Sequence, residues 1–175
     1  MKNQDCGNQL SLKFKNTAQH CPIGERTAKE MMARNKIPVI SCEGFCIRGD
    51  IARIAANLLA KEDGYGRACH GEIFAVPQSA MAEWARNSEK VVVIDGCFLH
   101  CHGRMIKSVL REDQLIVIDA LSFYGKYTDI MDPDEVPEQE RKEVARLVFQ
   151  KTLQVLENGP QAFTPAAASC GCCSE

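Results

Sequence analysis

VVVIDGCFLHCHGRMIK, residues 91–107, decides how the chain is read. Val91–Ile94 are four β-branched apolar residues in succession, the composition of a parallel strand buried on both faces. Asp95-Gly96 ends the run as a turn. Cys97 and Cys101 follow four positions apart, with His100 and His102 on either side of the second. A helix beginning near Phe98 and running to about Arg111 puts positions four apart on one face. Both thiols then point into the space beyond the strand's carboxyl end, where open α/β sheets bind their ligands.

The preceding residues repeat the pattern. Ile37–Ile40 is a short apolar strand, followed by Ser41-Cys42-Glu43-Gly44-Phe45-Cys46 and a helix over about 50–61. In that helix Ile51, Ile54, Ala55, Leu58 and Leu59 form one apolar stripe, with Asp50 at its start. Strand, glycine turn, two cysteines four apart and helix thus occur twice. Outside these units, residues 24–35 are rich in helix formers, and 67–74 read as a weak strand running into a glycine-containing loop. Residues 77–87 form a short helix in which Trp84 packs on the sheet. Leu115–Asp119 is a fourth buried strand, 120–137 is irregular, and a long helix spans 138–156 with Val144, Leu147, Val148, Leu153 and Leu156 on or near its inner face. Leu10, Leu12 and Phe14 alternate like a short edge strand.

Alternating strands and helices predict an α/β three-layer sandwich with a four-stranded parallel sheet in the flavodoxin-like order 2-1-3-4. That order places the ends of the first and third strands side by side, so Cys42 and Cys97 meet at the switch point. Three segments are expected: an N-terminal extension with a helix (1–36), a cysteine-rich α/β domain (37–157) and a flexible Cys-rich tail (158–175), whose Ala/Pro/Ser composition is that of a linker.

Bulk properties exclude several classes. The length of 175 residues suits one domain, and 45% hydrophobic with 25% charged residues is ordinary for a globular protein. A net charge of −2 gives no broad drive toward nucleic acid or anionic membrane. No apolar run approaches the roughly 18 residues of a membrane span. The polar N-terminus lacks the apolar core of a signal peptide, so a cytoplasmic, reducing location is expected. Ten cysteines in that setting point to metal binding or thiol chemistry rather than a disulfide framework. Each of the four histidines borders a cysteine: His20-Cys21, Cys69-His70 and His100-Cys101-His102.

Asp95-Gly96-Cys97 with Cys101, Cys42-Glu43-Gly44 after the first strand, and Cys69 with the glycine-containing segment after it resemble the signature elements of the DGC-domain family of zinc-binding proteins. The resemblance spans about residues 38–120. It implies a metal site rather than a reaction, with Cys69 as a ligand; Cys46 lies outside the family pattern.

Three functions follow. The first is a thiolate metal centre holding zinc or another thiophilic ion, with Cys42, Cys97 and Cys101 as ligands and either Cys69 or Cys46 as the fourth. Asp95 then orients a ligand, or simply caps the turn. His100 and His102 tune thiol acidity, or are exposed helix residues. The second is a cysteine-dependent oxyanion enzyme. Cys42, five residues and Arg48 resemble the loop of low-molecular-weight phosphatases and the related arsenate reductases, with Asp132 as general acid. Gly49 stands where that loop has a hydroxyl residue, and Arg48 reads equally as a surface helix residue. The third is a soft-metal or metalloid carrier, or a thiol relay, using Cys170, Cys172 and Cys173 of the tail. The partners expected are a metal ion and a small molecule or thiol.

Overall fold

The computed structural model describes residues 13, 15 and 17–159. The 10–14 edge strand, Cys6 and the cysteine tail lie outside the described residues, except that Lys13 is described and is not in a strand.

Four parallel strands form one sheet: β1 (Ile37–Ser41), β2 (Tyr65–Arg67), β3 (Val91–Asp95) and β4 (Leu115–Asp119), in the order β2-β1-β3-β4. The expected order and parallel sense are both present. Helices cover both faces. On one lie α2 (Ile47–Leu59) and α7 (Glu138–Asn158); on the other are α1 (Pro22–Ala33), α3 (His70–Ala75), α4 (Ala80–Asn87) and α5 (Cys101–Ile106). β3 shows why the apolar run had to be continuous. Val92 and Ile94 enter the core against α2 and α7, Val91 and Val93 enter the core against α4 and α5, and all four are 0% exposed. Each such side chain contributes about 1.5–3 kcal/mol of burial.

The helices follow from local chemistry. α1 has Pro22 at its first position, and the Cys21 Sγ before it accepts the Gly24 N–H. α4 is capped by Ser79, whose hydroxyl accepts the Ala82 N–H. The α2 stripe is Ile47, Ile51, Ala55 and Leu59, with Ala52 and Ala56 beside it. Asp50 in the first turn of α2 accepts from Arg53 and from Arg141 of α7, each at 2.6 Å, and so ties the two helices together. Trp84 is buried, and its Nε1–H donates to the Lys36 carbonyl.

Several expectations need correction. Residues 67–74 are not one strand. β2 stops at Arg67, where its pairing with Val39 runs out, and α3 begins at His70. A short apolar run of that kind has no periodicity to separate strand from helix. The helix after Gly96 starts at Cys101 rather than Phe98 and ends at Ile106, because His100 takes a left-handed conformation (φ 46°) and breaks the path. Cys97 therefore sits in a turn, and the shared helical face expected for it and Cys101 does not form. α2 begins three residues before Asp50, and the irregular stretch 120–137 holds a short α6 (Leu121–Tyr124) and a 3₁₀ turn at Pro133–Glu135. Leu147, expected on the inner face of α7, is 38% exposed; Val144, Ala145, Val148 and Thr152 face inward instead.

Candidate metal centre

β1 and β3 end side by side, and the Cys42 N–H donates to the Ile94 carbonyl at 2.8 Å. That bond carries Cys42 to the tip of β3, next to Asp95. The Sγ of Cys42, a carboxylate oxygen of Asp95 and a ring nitrogen of His102 all lie within 4.8 Å of one another. Cys42 and Asp95 are buried, and His102 is half-buried.

Backbone geometry holds these groups. Asp95 Oδ1 accepts the His102 N–H at 3.1 Å, and Oδ2 accepts the Gly103 N–H at 2.8 Å. The carboxylate therefore satisfies the opening N–H groups of α5, the capping role weighed for it from sequence. By doing so it also draws His102 toward Cys42. The Gly44 N–H points to the Cys42 Sγ, and the Glu43 N–H to His102 Nε2, each at 3.4 Å. The His70 ring meets the His102 ring edge-on at 4.9 Å, bringing α3 to the cluster. Burial and the neighbouring His102 both push the His70 pKa down and favour its neutral form.

Glycines allow the loops to approach this closely. A Cβ on Gly96 would lie 2.8–2.9 Å from the backbone of Arg48 and Gly49. One on Gly49 would lie 2.4 Å from the Gly44 carbonyl oxygen. The turn after β3 thus packs backbone to backbone on α2, which is the physical reason for glycine in Asp-Gly-Cys.

The other expected ligands do not join the three-atom group. Cys97 is half-buried in its turn. Burial pushes its thiol pKa up, and Arg48, Cys46 and Cys101 are all within electrostatic reach of it. Cys46 is the N-cap of α2 and half-buried; Cys69 and Cys101 are exposed at the starts of α3 and α5. Arg48 has its charge beside Cys97 and Tyr124. Asp132 caps the 3₁₀ turn, accepting the Asp134 N–H at 3.0 Å.

Two groups take roles at the site that the sequence does not indicate. His102, by sequence a residue tuning thiol acidity or an exposed helix residue, is a donor; its approach to Cys42 depends on the Asp95 cap, which no local pattern reveals. Arg67 ends β2 by gathering the β1 loop, donating to Ser41 and Glu43 side chains and to the Val39 and Ala68 carbonyls. Its place at the end of a strand was the available signal. A cavity of about 710 Å³ lined by Met32, Lys36, Trp84 and Lys90 opens at the opposite, amino end of the sheet, away from this chemistry.

The donor set suits a borderline-soft cation. Tetrahedral zinc, with Zn–S of about 2.3 Å and Zn–N of about 2.0–2.1 Å, spaces neighbouring donors by roughly 3.5 Å. The buried Nδ1 of His102 has no hydrogen-bond partner among the described residues, an orphan that coordination or ring reorientation would relieve.

A parallel α/β sheet with sulfur, nitrogen and oxygen donors gathered at its carboxyl edge defines a domain compatible with metal binding. Residues 38–146 match the DGC domain, more than half of the chain. The protein belongs to the DGC domain family. Comparison with curated proteins and with solved structures returns no match. Among the described residues no helix is long and apolar enough to cross a membrane.

Proposed function

We propose that the protein binds zinc at the carboxyl ends of β1 and β3 and serves in metal or thiol handling. Cys42 and His102 are the central donors. Asp95 fills a third position, or orients His102 while Cys97, Cys101 or Cys69 ligates. The observation that carries this reading is the convergence of Cys42, Asp95 and His102 donor atoms within 4.8 Å. Thiolate and imidazole together favour zinc over the oxygen-seeking magnesium and calcium, and copper(I) is the competing soft ion.

The nucleophilic alternative built on Cys42, Arg48 and Asp132 has less support. The guanidinium of Arg48 stands by Cys97 and Tyr124, and the Asp132 carboxylate is occupied in its turn.

Element analysis of protein purified under reducing conditions tests the proposal. We expect about one zinc per chain, falling in Cys42→Ser and His102→Ala. Zinc at 1,000 times its Kd raises stability by about 4 kcal/mol, or Tm by roughly 8–16 °C for a chain of this size. Wild-type protein with no zinc, and no gain in Tm on adding it, refutes the reading.

A further inference from the structure

A histidine that ligates a metal almost always donates its second ring N–H to a carboxylate, a carbonyl or water, and that bond fixes the ring. Among the described residues His102 has no such bond. Its Nδ1 is buried without a hydrogen-bond partner, and its Nε2 receives only the Glu43 N–H, at a long 3.4 Å. Asp95 Oδ1 holds the main-chain N–H of His102, not its imidazole. The torsion that turns an imidazole about Cβ–Cγ has broad wells, so anchoring the main chain does not by itself aim a ring nitrogen.

A row of rings supplies the missing restraint. Phe74, in α3, packs against the core cluster that includes Ile73, Trp84 and Ile106. Four positions earlier, and therefore on the same helical face, His70 meets Phe74 edge-on, with ring centroids 6.4 Å apart and planes at 65°. His70 in turn meets His102 edge-on, at 4.9 Å and 87°. Through α3 the donor imidazole is tied sideways to the hydrophobic core. Edge-to-face geometry has a preferred direction, because the positive rim of one ring seeks the negative face of the other, so the contact restrains angle as well as distance.

We infer that His70 is a positioning residue for the metal centre: its ring fixes the orientation of the His102 imidazole and so keeps a ring nitrogen facing Cys42 Sγ. This rests on the zinc reading above. His70 stands outside the group of three donor atoms, so its contribution is the ring itself and not a nitrogen on the ion. A phenyl ring at position 70 can therefore do the same work, and a side chain without a ring cannot.

Competition with a chromophoric chelator on the full reduced chain, together with the visible spectrum of the cobalt(II)-loaded protein, tests the inference. His70→Ala should weaken zinc by about two- to tenfold, the range an edge-to-face ring pair supports. Its cobalt bands at saturation should shift, since the donor set is no longer held in one geometry; loss of fold stability alone would not move them. His70→Phe should bind zinc within about twofold of wild type and show the wild-type cobalt spectrum. Wild-type affinity and spectrum in His70→Ala overturn the inference while leaving the zinc reading intact. Loss of affinity in His70→Phe equal to that in His70→Ala overturns it too, because a nitrogen is then required and His70 ligates directly. A wild type that binds neither ion overturns the zinc reading, and the inference with it. Should His70→Ala fail to fold, His70→Leu replaces it, filling the volume without an aromatic edge.

Discussion

Replacing Gly103 by alanine sets two opposing effects against each other. Gly103 is the third residue of α5, and alanine gains about 1 kcal/mol over glycine inside a helix. On helix propensity alone the variant should be more stable. Packing reverses the sign. The new Cβ would lie 2.8 Å from Asp95 Oδ2 and 3.0 Å from Val117 Cγ1. Asp95 is 1% exposed, and both of its oxygens are held by α5 N–H groups, so the carboxylate has nowhere to retreat without releasing the helix. Overpacking at such a position costs about 1–3 kcal/mol, and losing an N–H bond to a carboxylate about 1.5–3 kcal/mol. The net effect is a destabilisation of about 1.5–5 kcal/mol after the helix gain, or a Tm lower by roughly 3–20 °C. Urea and thermal unfolding followed by the fluorescence of Trp84, the single tryptophan, measure it with and without zinc. Zinc affinity should fall together with stability, because Asp95 also positions His102. A Gly103→Ala protein as stable as wild type with unchanged zinc affinity would show that the Asp95–α5 contact holds neither helix nor site.

Other substitutions read separate parts of the design. Burial, with the neighbouring Asp95, raises the pKa of Asp119 above the ordinary carboxylate range. The folded state therefore holds its proton longer than the unfolded state, and stability falls as pH rises from the ordinary value through the raised one. Asp119→Asn should accordingly stabilise the protein at pH 7, with an advantage that shrinks below about pH 4, measured by urea unfolding across pH. Asp50 behaves oppositely. Burial opposes its charge, but Arg53 and Arg141 outweigh that and hold its pKa below the usual range. Its contribution is complete above the unfolded pKa and disappears as pH falls through the lowered one; Arg141→Ala should cost about 1–3 kcal/mol at pH 7 and much less under acid.

The sheet could be read because its strands are short, apolar and evenly interrupted by helical patterns; chirality and adjacency then leave few orders for four parallel strands. β3 and β4 were placed at their observed residues for that reason. β2 was not, since three edge residues with glycine in the middle carry almost no pattern. At the site, the sequence placed Cys42 and Cys97 at one end of the sheet and named Asp95 as an organiser. It treated Cys97 and Cys101 as a helical pair because spacing was the only guide, and a single left-handed residue, His100, undid that. The approach of His102 to Cys42 joins residues 60 positions apart, beyond the reach of any local periodicity.

The glycine contact between the turn after β3 and the first turn of α2 also has a thermodynamic consequence. Arg48's own main chain touches Gly96, one residue from Asp95 and one from Cys97. An ion gripped at the strand ends would lean on the same few peptide units that join this turn to α2. Linkage makes such an influence mutual: whatever firms the seam favours the bound ion, and the bound ion firms the seam by the same factor.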